Sequence, residues 1–477
     1  MRTYDVVGIG IGPFNLGLAA LADPLDDVDA VFLDQRSGFS WHPGMMLEGA
    51  TIQVPFLADL VTMADPTSPY SFLAFLKDTG RLYPFYIRES FYPLRAEYDQ
   101  YCRWVAGRLD TLRWGRRVVA VEHDAASDAY VVTAEVSDGG AGADGTASDG
   151  GIRREQYRAR HVVLGVGTSP RLPAPLADLA DRSESAAGLA DAGPVIHTAD
   201  YLTHRDALQA SGAVTVVGSG QSAAEVYRDL LEDAGAYRLD WVTRSPRFFP
   251  MEYTKLTLEM TSPEYTAHFH GLPTELRDLV GREQRNLYKG ISADLIDDIY
   301  DTLYRRTALG RDVPTTLLSD TEVVAARAER ADDGSTEYVL TLRHGQLGTT
   351  AEHRTRAVVA ATGYAAGVPD LLDPVRGRLL LDDQGRFAAT ADYTVSSDGR
   401  IHTLNGEEHS HGVTAPDLGF GPWRNSVVLA KITGREPYPI ERRIAFQEFG
   451  LPGGVPAQRS DGGTPADGGA PAEEVAR

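Results

Sequence analysis

Two stretches of this sequence place glycines where a chain could hold a nucleotide diphosphate. Tyr4-Asp5-Val6-Val7 runs into Gly8-Ile9-Gly10-Ile11-Gly12-Pro13 and on into Phe14-Asn15-Leu16-Gly17, the order of a strand, a glycine turn and a helix. Gly8 permits a tight turn, Gly10 brings the backbone close to a pyrophosphate, and the amides at the helix start carry the partial positive charge that a diphosphate needs. Pro13 takes the third glycine position of the usual fingerprint, which suits a first helical turn. Val31-Phe32-Leu33 then reads as a buried strand ending at Asp34, the spacing at which a carboxylate meets an adenosine ribose. The second stretch repeats the order: Ala213-Val214-Thr215-Val216-Val217 leads into Gly218-Ser219-Gly220-Gln221-Ser222-Ala223. Its following strand, Leu239 to Thr243, ends at Arg244, with Arg247 close behind, where an NAD site would carry an acid. A guanidinium there suits a ribose 2′-phosphate, so NADPH is favoured over NADH. The alternative is a solvated strand end.

Paired FAD and NADPH cradles describe a flavoprotein that takes hydride from NADPH. Cys102 is the single cysteine, which excludes a disulfide and a redox-active dithiol. Oxygen is then the expected electron acceptor, and a flavin hydroperoxide the oxidant. His409 and His411 stand two apart in a loop, without convincing metal-ligand spacing, and no metal is expected.

These residues need a large scaffold. At 477 residues the chain exceeds one ordinary core. The expected fold class is α/β, with two Rossmann-like dinucleotide-binding domains and a smaller, mostly helical substrate region. Residues 1–200 are the first part of the FAD domain, 201–345 the NADPH domain with the helical region at 250–310, and 346–455 the return to the FAD domain. Residues 456–477, rich in Gly, Pro, Ala and acids, read as a disordered tail, and 137–151 as a disordered hairpin tip. The aromatic stretch 52–104 reads as an insertion lining a pocket. His161-Val162-Val163-Leu164 ends in Gly165-Val166-Gly167, a second close approach to the first nucleotide. Ala357-Val358-Val359-Ala360 leads into Ala361-Thr362-Gly363-Tyr364 and is expected to carry the chain back to the flavin domain.

The formal net charge of -21, with no concentrated basic stretch, argues against nucleic acid or an anionic membrane as partner. No apolar run reaches the length of a membrane span, the N-terminus enters a strand at once, and the lone cysteine fits a reducing compartment, so the expected location is cytoplasmic.

Taken together, Gly8-x-Gly10-x-Gly12-Pro13-x-Asn15, Phe39-Ser40-Trp41-His42-Pro43-Gly44-Met45, Gln53-x-x-Phe56-Leu57-x-Asp59-Leu60, Pro66-Thr67-Ser68-Pro69-Tyr70-Ser71-Phe72, Ala361-Thr362-Gly363-Tyr364 and His411-Gly412 resemble the lysine and ornithine N-monooxygenase family of siderophore biosynthesis. The resemblance covers nearly the whole chain. It implies non-covalent FAD, NADPH, molecular oxygen and a primary amine converted to a hydroxylamine, with Gln53 near the isoalloxazine. It places Trp41, His42, Gly167, Thr362, Gly363 and Tyr364 with the cofactors, and it implies a dimer or tetramer.

The departures are informative. Where the family's amino-acid hydroxylases carry a lysine that pairs with the substrate carboxylate, this chain has Ala58. Where they carry a serine after leucine, it has Leu418-Gly419. An unpaired buried carboxylate costs on the order of several kcal/mol. The expected substrate is therefore a diamine, cadaverine in preference to putrescine, on the way to a hydroxamate siderophore of the desferrioxamine kind. Asp59 or Glu259 would hold the distal ammonium, although Asp59 could equally be a helix cap. L-lysine is the alternative substrate. A flavin redox sensor without turnover and an uncoupled NADPH oxidase are the alternatives of other classes. Arg356 stands where the family has an aspartate before Ala-Thr-Gly-Tyr.

Overall fold

The computed structural model describes residues 2–136, 153–184, 191–310 and 313–451. The expected hairpin tip at 137–151 and the tail at 456–477 lie outside the described residues.

Thr3–Ile9 sits inside a seven-stranded sheet, parallel to Ala30–Asp34 on one side and to Arg153–Leu164 on the other. Ala30–Asp34 is buried at every position, as expected of a parallel strand covered on both faces. Arg153–Leu164 pairs antiparallel with Ala129–Val136 through its first half and parallel with Ile401–Thr403 through its second. Thus the chain returns to this sheet at Ile401. A second sheet has five parallel strands in the order Thr315–Leu318, Arg238–Val242, Ala213–Val217, Ala357–Ala360 and Val195–His197. The three-stranded antiparallel meander Thr321–Arg330, Thr336–His344 and Thr350–Thr355 packs against it through Val323, Tyr338 and Leu340.

Sheet membership corrects two expectations. Ala357–Ala360 lies inside the second sheet, between Ala213–Val217 and Val195–His197, so the return to the flavin domain starts after its glycine turn and not at residue 346. Val195–His197 also belongs to the second sheet, although it precedes residue 201. The chain crosses between domains at Ser169–Pro170 and returns at Tyr364–Ala365, and these two short strands pair with one another. An apolar run of four residues carries no local mark of which sheet will accept it.

The region 250–310 is helical as expected. Pro263–Gly271 begins with Ser262, whose hydroxyl accepts the Tyr265 amide at 3.1 Å, followed by Pro263 in the first turn. The long helix Ala293–Ala308 packs Ile299 onto the second core. The stretch 52–104 divides: Ile52, Gln53, Val54, Pro55, Tyr92 and Arg95 line a cavity as expected, whereas Phe72, Phe75, Tyr98 and Tyr101 are buried together in the first core, folded onto Pro13–Ala22. Among the described residues no helix is long and apolar enough to cross a membrane.

Candidate functional site

Both glycine turns open onto one cavity of about 1000 Å³. In the first cradle the left-handed turn is at Gly10, φ +85°, where a Cβ would stand 2.5 Å from the Gly165 carbonyl oxygen. Gly8 is an extended strand residue. Its missing side chain makes room for the Phe32 ring, which a Cβ would meet at 2.1 Å, so the tight turn assigned to Gly8 belongs to Gly10. Gly12 is the N-cap of Pro13–Ala22 with no side-chain cap bond, and a Cβ there would meet nothing nearer than 3.9 Å. Gly10, Gly12, Pro13 and Gly167 form part of the cavity wall. This glycine surface and uncapped helix start fit the diphosphate of FAD.

Asn15 is wholly buried and off the cavity wall, contrary to its expected cofactor contact. Its Nδ2 donates to the Gly10 carbonyl at 2.8 Å and so holds the turn from behind. Asp34 lines the cavity, where its Oδ2 accepts the Ile11 amide at 2.7 Å and its carboxylate pairs with Arg36 at 2.9 Å. Burial opposes ionisation, but Arg36 and the Ile11 amide outweigh it and hold the carboxyl below the usual range. Trp41, His42 and Gln53 also line the cavity. The His42 imidazole is pushed down to about 4 by burial and by the nearby charges of Arg95 and Arg36, so it is neutral at pH 7. Gln53 Nε2 donates to the Thr51 carbonyl at 2.9 Å, which fixes its side chain in the wall.

The second cradle contributes less to the wall. Gln221 and Ser222, at the start of Gln221–Leu231, reach it. Gly220 is the N-cap, again without a side-chain bond, which suits a second diphosphate, that of NADPH. Gly218 lies behind, where a Cβ would meet the Ala361 carbonyl oxygen at 2.2 Å, and its own carbonyl accepts Trp241 Nε1 at 2.8 Å. Gln221 also accepts the Ser292 amide at 2.8 Å, tying the cradle to the helical region. Arg244 and Arg247 are exposed at the end of Arg238–Val242, off the cavity wall. Tyr364 reaches the wall, with His42 and His197 edge-on to its ring. Thr362 and Gly363 do not: Thr362 Oγ1 donates to the Arg171 carbonyl, and the Gly363 carbonyl accepts the Arg171 amide at 3.0 Å. They close the crossing between domains.

At the substrate end, Ala58 and Gly419 come together. A Cβ on Gly419 would stand 3.4 Å from Ala58 Cβ and 3.1 Å from Asp417 Oδ1. Leu418 and Asp417 line the cavity beside them. The two expected acids are elsewhere. Asp59 is buried, and its carboxylate accepts the amides of Val61, Thr62 and Phe72 and the Thr62 hydroxyl. Four donors, three from its own loop and one from the first residue of Phe72–Asp78, already use its oxygens, so none is left for an ammonium. Glu259 accepts the Phe446 amide at 2.9 Å and the Gln447 amide at 3.0 Å, pinning a distant segment outside the wall.

Sequence reasoning missed Asp417, although an acid beside the two vacant clamp positions was a signal. It also missed Arg95, buried between the domains, whose guanidinium pairs with Glu225 of the second cradle's helix at 2.7 Å and donates to the Met45 carbonyl. His411 is buried and stacked on Tyr393, and His409 Nε2 bonds to the Phe387 carbonyl oxygen. Arg356 pairs with Asp333 at 2.7 Å.

Residues 2–366 match the family model of L-lysine 6-monooxygenase/L-ornithine 5-monooxygenase. The chain is 44% identical over 450 residues to a putrescine N-hydroxylase of Shewanella oneidensis, covering 94% of this chain and 84% of that protein. It is 46% identical over 468 residues to an alcaligin biosynthesis enzyme of Bordetella bronchiseptica, covering 96% and 95%. Among solved structures it resembles, with a TM-score of 0.87 and 43% identity, the FAD-bound cadaverine monooxygenase of the desferrioxamine pathway of Erwinia amylovora, covering 95% of this chain and all of that one.

Proposed function

From the premise that the chain belongs to the L-lysine 6-monooxygenase/L-ornithine 5-monooxygenase family, and is a flavin-dependent N-monooxygenase using FAD and NADPH, we propose that its substrate is a small aliphatic diamine. Cadaverine is preferred to putrescine, and the product feeds a hydroxamate siderophore of the desferrioxamine kind. The observation that carries this is the contact between Ala58 and Gly419. Neither can offer a cation or a hydroxyl, so a substrate carboxylate would be left without a partner there. The similarity to a putrescine N-hydroxylase and to a cadaverine monooxygenase supports the same choice.

The overall reaction joins one oxygen atom of O₂ to the amine nitrogen and reduces the other to water: RNH₂ + O₂ + NADPH + H⁺ gives RNHOH + H₂O + NADP⁺. Bound FAD, reduced by NADPH, supplies the activation of oxygen. The chain's part is binding, orientation and exclusion of water. Backbone around Gly10 and Gly12 with the start of Pro13–Ala22 holds one diphosphate, and Gln221 and Ser222 the other. Arg244 and Arg247, exposed at the strand end, would meet the 2′-phosphate. Neutral His42 and the tethered amide of Gln53 would line the part of the cavity that takes the ring systems without adding charge. Leu258, Met260, Val413 and Leu418 give the far end an apolar lining for a methylene chain.

We further propose that the protein works in the cytoplasm, where NADPH is available, and assembles as a dimer or tetramer. The exposed face formed by Tyr83, Tyr86, Ile87 and Phe91 is apolar enough to be covered by a second copy.

The test is a panel of cadaverine, putrescine, L-lysine and L-ornithine scored by hydroxylamine formed, since NADPH loss alone would also count peroxide. Cadaverine should exceed lysine by at least ~100-fold in kcat/KM, as expected of a binding carboxylate left unpaired at a cost of a few kcal/mol. Comparable rates with lysine would reject the diamine assignment. Bound FAD with no hydroxylamine from any amine would favour a sensor.

A further inference from the structure

The charges on the cavity wall do not balance evenly along its length. Each arginine that reaches the wall has an acid: Arg36 has Asp34, Arg95 has Glu225, Arg116 has Glu155 and Arg117 has Glu135. The remaining carboxylates on the wall are Glu252, which is exposed and accepts from Asn286, and Asp417. Asp417 sits between Pro416 and Leu418 just before the helix Gly421–Thr433. One of its oxygens accepts the Phe420 amide at 2.7 Å, and no Lys, Arg or His forms an ion pair with it among the described residues. Arg424, on that helix, forms its ion pair with Glu407 through Nη1 in a fully buried setting, while its charge is still felt at Asp417. Asp417 also adjoins the vacant clamp, because its Oδ1 lies 3.1 Å from where a Gly419 side chain would begin and Ala58 packs on the same spot. The position therefore offers a carboxyl group without an ion-pair partner where an amino-acid hydroxylase would need a positive charge.

Resting on the diamine assignment above, we propose that Asp417 binds the distal ammonium of the substrate and sets the preference for diamines over monoamines and amino acids. A diamine reacting through one neutral nitrogen still carries an ammonium at its other end, and a carboxylate with no ion-pair partner is suited to receive it. The same carboxylate repels the α-carboxylate of lysine. Burial pushes the Asp417 carboxyl up, against the Phe420 amide and the charge of Arg424, so an ammonium arriving there also relieves a carboxylate held in an unfavourable setting.

The experiment uses the FAD-loaded full chain and compares cadaverine with 1-pentylamine, which has the same carbon chain and no distal charge. In D417N, which keeps an oxygen acceptor for the Phe420 amide, kcat/KM for cadaverine should fall by roughly 10- to 100-fold, the value of one charge-assisted hydrogen bond. The rate with 1-pentylamine and the rate of flavin reduction by NADPH should stay within about 2-fold of the unsubstituted protein. Calorimetric titration of cadaverine into the NADP⁺-bound protein should show the same loss of affinity, and D417E should recover part of it. An unchanged ratio of cadaverine to 1-pentylamine in D417N would overturn the assignment while leaving the diamine reading intact. Failure of the unsubstituted protein to hydroxylate any diamine would instead remove the reading beneath it. If D417N does not retain FAD, the unsubstituted protein decides: cadaverine must exceed 1-pentylamine by at least ~10-fold, and equal use of the two overturns the proposal.

Discussion

The two cradles share an order of elements and differ in how firmly they are built in. In the first, the carboxylate that ends the second strand is buried, reaches back to the Ile11 amide and is locked by Arg36, while Asn15 braces Gly10 from behind. In the second, the strand ends in exposed Arg244 and Arg247, and only Gln221 and Ser222 reach the common cavity. The first is a finished mould lined with backbone. The second is an open shelf with free cations at its rim. A nucleotide that stays between turnovers suits the former, and one that arrives, delivers hydride and must later leave suits the latter, because fewer preformed contacts mean faster release.

Both cradles face one cavity only while the two domains keep their places, and the buried pair Arg95–Glu225 is one of the links between them, beside Lys289–Glu408. Its guanidinium and Glu225 are nearly buried, at 10% and 6% side-chain exposure. R95A leaves a carboxylate inside the interface with only Gln221 to bond it, at an expected cost of ~3–5 kcal/mol. Thermal melts of R95A should show the largest loss of any substitution considered, with both nucleotides bound more weakly. A loss confined to one of them would mean the domains do not depend on this pair.

The next largest effect should separate the cradles. G10A places a Cβ 2.5 Å from the Gly165 carbonyl oxygen at a residue with φ +85°. Strain of ~1–3 kcal/mol follows, enough to weaken FAD by roughly 10- to 100-fold. Purified G10A should carry well under one FAD per chain by absorbance. G220A meets the Lys289 carbonyl oxygen at 3.0 Å without a left-handed turn, so it should keep its FAD and lose NADPH affinity. Equal flavin loss in both would erase the distinction drawn here.

The two strand-turn-helix units could be read in the sequence because every signal lies within about ten residues. Ala58 and Gly419 could be read as departures from a family pattern, and the fold brings them into contact. What escaped was set by partners far along the chain. Asp59 and Glu259 are acids of equal promise on paper. One is consumed by amides two to thirteen residues away, the other by the amides of Phe446 and Gln447. Gly10 makes the turn expected of Gly8, because Phe32, on the neighbouring strand, needs the space at Gly8. Ala357–Ala360 joins the second sheet by its register with Ala213–Val217, which no local pattern encodes. Asp417 was overlooked because its significance lies in the cations that other acids have already taken.

Arg244 and Arg247 give the rim of the second cradle its charge. If the rim of the second cradle reads the 2′-phosphate, R244A removes one charge-assisted contact that NADPH makes and NADH cannot. KM for NADPH should then rise by roughly 10-fold or somewhat more, while kcat/KM for NADH, already low, stays unchanged. R247A should act in the same direction and more weakly, since its guanidinium also stands over the Phe249 ring at 6.0 Å, a position that it can keep with or without the nucleotide. Both side chains are exposed, so neither substitution should move the melting temperature or the flavin content. Stopped-flow reduction of the bound flavin by each pyridine nucleotide makes the measurement directly. A fall in the NADPH to NADH ratio locates the selectivity at the strand end. An unchanged ratio in R244A and R247A alike would return both arginines to the role of a solvated strand end, and the cation that reads the phosphate would have to come from the helical region beside Gln221.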